Sequence, residues 1–192
     1  MDFDDQDYSN EHFQDMDLSA SNISAKELWN CTFSNCNLSG ADFTDTSIES
    51  CLFVECNLSN ICVDNAKLTG NTFDRCKLLG VKFYKSSTMS FEISMNECTL
   101  LLCNFSDLKM KRSRITNCLI EECYFQNTVL AESDFSNSKF RNTTFHNSDL
   151  QRANFLNASG YSIDPRVNRI RKARFSVPDV LNLLNCFEIE IK

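Results

Sequence analysis

Eleven cysteines, two histidines and twenty-six Asp/Glu residues are the groups through which this 192-residue chain would do chemistry. Nine of the thiols form two series, Cys31, Cys36, Cys51, Cys56 and Cys76, then Cys98, Cys103, Cys118 and Cys123, each spaced in multiples of five. A structural zinc site needs four ligands that converge on a point, and so regular a spacing strings thiols along columns instead. Thiols stacked at the ~4.8 Å strand spacing stand slightly too far apart between β-carbons for an unstrained disulfide. They are expected to be reduced, buried and to act as compact apolar groups. His12 and His146 each adjoin a phenylalanine, Phe13 and Phe145, and are expected outside, near opposite ends of the molecule. No nucleophile–base pair, phosphate-cradling glycine loop or nucleotide fingerprint is present. These residues argue for a protein that is not an enzyme and uses no cofactor or metal.

The elements that place them follow from one period. From Cys31 onward a large apolar residue recurs every fifth position: Phe33, Leu38, Phe43, Ile48, Phe53, Leu58, Val63, Leu68, Phe73, Leu78 and Phe83. Two places before each stands a mostly small residue, and the remaining places are polar. Five fits neither the 3.6-residue helix nor the alternation of a strand. It fits a chain that turns a corner every five residues, as stacked repeats do. The phase extends back through Phe3, Tyr8, Phe13, Leu18, Ile23 and Leu28, with an irregular first coil expected near Lys26 and Trp29. A second run, shifted in phase, goes from Met95 to Phe155. The step from Phe83 to Met95 is twelve residues, two repeats plus two, so residues 84–94 are expected to bulge from a corner. Residues twenty apart match in kind, Phe13 with Phe33, Phe53 and Phe73, and Leu18 with Leu38, Leu58 and Leu78. Four repeats per coil would stack them, and like side chains pack well at that spacing.

This pattern resembles the pentapeptide-repeat family, whose units run small–polar–Leu/Phe–polar–polar. The resemblance implies an all-β fold, a right-handed quadrilateral β-helix, as one domain over 1–192 with coils at about 3–160. Thirty central positions give seven and a half coils, a rod of about 36 Å. Residues 161–192 are expected to cap its C-terminal end. Ser176 would cap a helix containing Pro178, Asp179, Val180, Leu181, Leu183 and Leu184. Phe187, Ile189 and Ile191, alternating with Glu188 and Glu190, would form a short strand. The apolar surplus of Val180, Leu181, Leu184, Phe187, Ile189 and Ile191 suits a homodimer contact, as in family members whose C-terminal ends meet. The first residues carry no signal-peptide pattern and no run is long enough to span a membrane, so a soluble cytoplasmic protein is expected.

Charge is unevenly spread. Residues 1–65 carry thirteen Asp/Glu against Lys26 alone, whereas residues 66–114 carry nine Lys/Arg against four acids. Some family members, the quinolone-resistance (Qnr-type) and mycobacterial gyrase-binding proteins, are thought to imitate duplex DNA and occupy type II topoisomerases. Duplex DNA would carry about 21 charges over a ~36 Å rod and roughly 9 over the ~16 Å of the first 65 residues. The chain carries −7 in all but −12 in that first third. Mimicry is thus expected to be local, and the resemblance implies DNA gyrase or topoisomerase IV as partner, with protection against quinolones. Candidate contacts are Asp42, Asp45, Glu49, Glu55 and Asp64, supported by Tyr84 and Phe91 of the bulge. The same acidity would also serve merely to keep a long protein soluble. The alternative is a structural or scaffold protein that binds another partner through exposed Trp29, Tyr84 or Phe91. Basic clusters at Lys109, Lys111, Arg112 and Arg114 and at Arg166, Arg169, Arg171, Lys172 and Arg174 lack interleaved aromatics, so direct nucleic-acid binding is not expected.

Overall fold

Corners decide this architecture, because a chain that turns every five residues must repeatedly leave the extended conformation. In a computed structural model, which describes residues 5–89 and 91–190, every corner from Asn10 to Gly80 has φ between +50° and +70°. That left-handed region suits Gly and Asn, whose side chains are absent or short and polar. Asn10, Asn30, Asn35, Asn60 and Asn65 occupy corners in the first run, and Asn117, Asn127, Asn137, Asn142, Asn147 and Asn157 in the second. Part of the asparagine richness of the sequence thus has a backbone cause.

Between corners lie four faces, and about eight turns stack in parallel. The first face begins with Asp7–Ser9, Glu27–Trp29 and Ser47–Glu49, and the second with His12–Gln14, Thr32–Ser34 and Leu52–Val54. Both continue into Lys67–Asp74, which runs over the corner at Gly70 (φ +66°) without losing its pairing. The third face carries Lys77–Leu79, Thr99–Leu101, Leu119–Glu121 and Lys139–Arg141, and the fourth ends in Tyr124–Gln126, Thr144–His146 and Ser162–Ile163. Register confirms the twenty-residue stack: Phe13 pairs with Phe33, and Phe33 with Phe53. Their rings stack at 4.6 and 4.9 Å, and Phe53 on Phe73 at 5.0 Å. Phe83, Phe105, Phe125 and Phe145 form a second column at 4.7, 4.9 and 5.0 Å.

The nine inward thiols are buried, and all eleven cysteines are free. Each inward sulfur sits against backbone carbonyls; Cys36 Sγ donates to Phe13 O at 3.3 Å and Cys56 Sγ to Phe33 O at 3.3 Å. Burial pushes the Cys31 and Cys36 thiols up and that of Cys51 to about 12, as desolvation of a would-be thiolate requires.

Four expectations need correction. The coil at Lys26 and Trp29 is regular, Asp7 pairing with Glu27 and Glu27 with Ser47, because Lys26 is only half-buried and its long side chain reaches out of the small inward place. The bulge is shorter than residues 84–94. Phe83–Lys85 make one 3-10 turn, and Phe91–Asn96 is already a strand paired with Lys67–Asp74, two residues out of the earlier phase. At the C-terminus the helix is a 3-10 helix, Asp179–Phe187, entered from Pro178; Ser176 Oγ is not its cap and instead accepts from Asn157 N–H at 2.9 Å. No strand follows among the described residues, because Glu188 turns left-handed (φ +52°) at the helix end. Phe3 and Ile191 lie outside the described residues.

The helix does pack on the last turn. Leu183 is buried, Val180 packs against the core and Gly160 N–H donates to Asp179 at 3.2 Å. Arg174–Phe175 is the final repeat, with Phe175 stacked on Phe155 at 5.3 Å.

Candidate protein-binding surface

A filled coil offers side chains, not a cavity, as its means of recognition. The outward places along each face hold polar residues at strand spacing, and many pair with the residue one turn above. Asn35 donates to Asp15 at 2.7 Å, Asn37 to Asp17 at 3.0 Å and Asn57 to Asn37 at 3.2 Å. Such ladders hold the surface rigid. They also decide which acids are available to a partner.

The predicted acids do not converge on one face. Asp42, Asp45 and Asp64 share the fourth face with Tyr84, Glu49 lies on the first and Glu55 at the end of the second. Asp42 is half-buried and brackets its own corner, accepting from Thr44 N–H at 2.9 Å and from the Thr44 hydroxyl. Glu55 takes Arg75 from the turn above at 3.0 Å. Asp64 takes Lys85 at 2.8 Å, which holds its carboxyl below the usual range. Asp45 and Glu49 are exposed, and neither side chain bonds to another group among the described residues. Glu49 stands beside Trp29, its strand partner, which is 49% exposed.

Tyr84 is exposed on the one-turn 3-10 helix. Phe91 is not available as a contact. It is 7% exposed and meets the Phe83 ring edge-on at 5.8 Å, because the shifted strand turns it inward over Leu68. Of the C-terminal residues, Val180 and Leu184 are half-buried, while Leu181, Phe187 and Ile189 remain exposed.

His12 and His146 both lie outside, on different faces near opposite ends. No group of three or more His, Cys, Asp or Glu residues among the described residues is arranged to hold a metal. No described helix is long and apolar enough to cross a membrane.

Sequence reasoning missed apolar residues in places that the repeat makes polar elsewhere: Leu79, Leu101, Leu102 and Tyr124 lie on or beside one corner, where Glu121 and Glu122 take the places of Leu101 and Leu102 in the next turn. The signal was available, since the third face reads Ser19, Ser39 and Ser59 before it reads Leu79 and Leu101.

A chain built in this way is a four-sided parallel β-solenoid. Residues 26–101 match the family model of the pentapeptide repeat region, and residues 81–163 match that of the SV2A/B/C luminal domain. No curated protein matches the sequence. Among solved structures, the chain is similar to QnrB1, a plasmid-mediated fluoroquinolone resistance protein. Two trypsin-treated forms superpose with TM-scores of 0.65 and 0.64 at 17% and 19% identity, covering 97% of this chain and 100% and 91% of theirs. Full-length QnrB1 gives 0.55 at 18% identity, over 95% of this chain and 100% of its own. At these identities the likeness is one of fold.

Proposed function

We propose that this protein is a non-catalytic binding rod whose acidic N-terminal turns engage a DNA-binding enzyme, DNA gyrase or topoisomerase IV, as a partial DNA mimic, and thereby protect it against quinolones. The observation that carries this reading is the net charge of −10 carried by residues 5–65, eleven Asp/Glu against Lys26, on a coil whose stacked rings repeat every 4.6–5.0 Å. The fold likeness to QnrB1 is in keeping with it. Asp45 and Glu49 are its principal contacts, since their charge is not spent within the chain. Glu55 and Asp64 contribute less, because Arg75 and Lys85 already neutralise them. The protein would act in the cytoplasm, and its exposed C-terminal residues suit a homodimer.

A supercoiling assay with and without a fluoroquinolone tests the proposal. The unsubstituted protein should relieve inhibition, and the double variant Asp45→Lys, Glu49→Lys should lose most of that effect. No change in supercoiling with either protein would end the topoisomerase reading. The second reading, a scaffold for another protein, is favoured by exposed Trp29 and Tyr84. Under it, partner capture in pull-downs should survive reversal of the acids and fail with Trp29→Ala.

A further inference from the structure

Sulfur forms one continuous column in this molecule. Met16, Cys36, Cys56, Cys76, Cys98 and Cys118 fill the inward place before the third face in six successive turns. The five thiols are 1–2% exposed, whereas Met16 is half-buried in the first turn and packs on the core. Ser138 closes the other end, its hydroxyl accepting from Cys118 N–H at 3.0 Å. The column thus has a thioether at its outer end and an unbroken run of thiols behind it.

Its sulfurs are equivalent from turn to turn. Cys36, Cys56, Cys76 and Cys98 donate to the carbonyls of Phe13, Phe33, Phe53 and Phe73 at 3.3–3.4 Å. All five thiols also lie 3.2–3.4 Å from the carbonyl two residues back. One geometry repeated sets neighbouring sulfurs one turn apart, and the phenylalanine rings of those same turns repeat at 4.6, 4.9 and 5.0 Å. That spacing does not suit zinc, whose ligands converge, and it is too wide for a disulfide. It suits an ion that takes two ligands in line. A metal–thiolate bond is about 2.3 Å, so a cation between two sulfurs holds them about 4.6 Å apart. Soft thiolate and thioether donors select Cu(I), a closed-shell cation that accepts two donors in line.

Charge favours filling the whole column. Six sulfurs leave five gaps, and five of the six belong to thiols. Five Cu(I) ions and five thiolates cancel, so the loaded core carries no net charge. The shorter pairs, Cys31 with Cys51 and Cys103 with Cys123, have no thioether beside them. One ion between two thiolates would leave a negative charge buried there, which is costly.

We propose that the column from Met16 to Cys118 takes up Cu(I), entering at Met16, with each ion held between the sulfurs of two successive turns. Each ion gains two sulfur bonds. The thiolates of Cys36, Cys56, Cys76 and Cys98 each bridge two ions, while Met16 and Cys118 bind one apiece. Every thiol that binds gives its proton to solvent, and no electron moves.

Titration of the full, reduced chain with Cu(I), without oxygen and against a chromogenic Cu(I) chelator, tests this. The folded protein should take up about five ions, release about one proton for each, and show two sulfur neighbours at about 2.3 Å by X-ray absorption. Met16→Leu, at a half-buried place, should reduce uptake to about four ions and slow it. Cys76→Ser divides the column into three sulfurs and two, and should reduce uptake to about three ions. Should Cys76→Ser fail to fold, Met16→Leu decides alone. The double variant Cys62→Ser, Cys186→Ser removes the two thiols outside the columns and should bind as the unsubstituted chain does. Uptake abolished by that variant would put the copper on the surface and overturn the proposal. So would a folded chain that binds fewer than about two ions, or Met16→Leu loading to the same extent at the same rate. None of these readouts involves a topoisomerase, so their failure leaves the reading of the acidic turns standing.

Discussion

An inward place can be filled by a thiol or by an amide, and the two make different demands on their neighbours. Asn71 stands above Cys51 in one inward column, where its amide donates to Ile48 O at 2.8 Å and its oxygen accepts from Cys51 N–H at 2.9 Å. Asn71→Ala would leave the buried Cys51 N–H without its partner and remove one bond to Ile48 O, and should cost about 1–3 kcal/mol, measurable by denaturant unfolding. Asn71→Cys, which restores a thiol that can face the same carbonyl, should cost less. Asp164 shows the other extreme, a half-buried carboxyl that Arg166 holds at about 2 through its side chain and backbone N–H. Since its folded value is depressed, its stabilisation of the 164–167 turn is present above the ordinary carboxylate pKa of about 3.9. It should fade as pH falls from about 4 to about 2. A carboxyl titration followed by NMR checks this; a midpoint near 4 would exclude the Arg166 contact in solution. At this scale the sequence was legible for what points inward, because period and residue size set it. Acid pairing was only partly legible. Glu55 and Arg75 are twenty residues apart and share a column, but Asp64 meets Lys85 at twenty-one, a spacing made by the 3-10 turn at Phe83–Lys85.

Elements departed from expectation where the five-residue rule stops. The two surplus residues between the runs were countable, but how the chain would absorb them was not. Pairing resumes at Phe91, because Phe91 and Ile93 bury apolar surface over Leu68 and beside Met95 that an outward loop would forfeit. The cap was legible as a helix from Pro178 and Asp179 and misread beyond Phe187, since alternation alone makes no strand without an edge to pair with. The helix should guard the final turns alone, because each turn touches only its neighbours. A chain ending at Pro178 should exchange amide hydrogens faster in residues 160–175 and keep the protection of residues 30–80. Loss of protection along the entire coil would show that the helix supports the whole fold.

For the molecule as a whole, the stacking of like on like was foreseeable, and it holds from Phe13 to Phe175 despite a shift in phase. Two features of its surface were not. Counting charges along the chain located an acidic third, but only the faces reveal that two of its five predicted contacts are neutralised by cations from the next turn. Regarding exposed residues as uniformly polar also hid the leucine corner, which becomes one patch only when turns twenty residues apart are laid side by side.

Parallel pairing between successive turns has a mechanical corollary. Backbone hydrogen bonds such as Leu38 N–H to Asn57 O at 2.8 Å lie between turns, so tension along the axis loads them directly and one turn at a time. Pulled from its ends, the protein should peel and not snap, releasing about 70 Å of chain per twenty-residue turn. One longer step should appear where the surplus residues lie, and an optical trap would register the protein as a ratchet of nearly equal teeth.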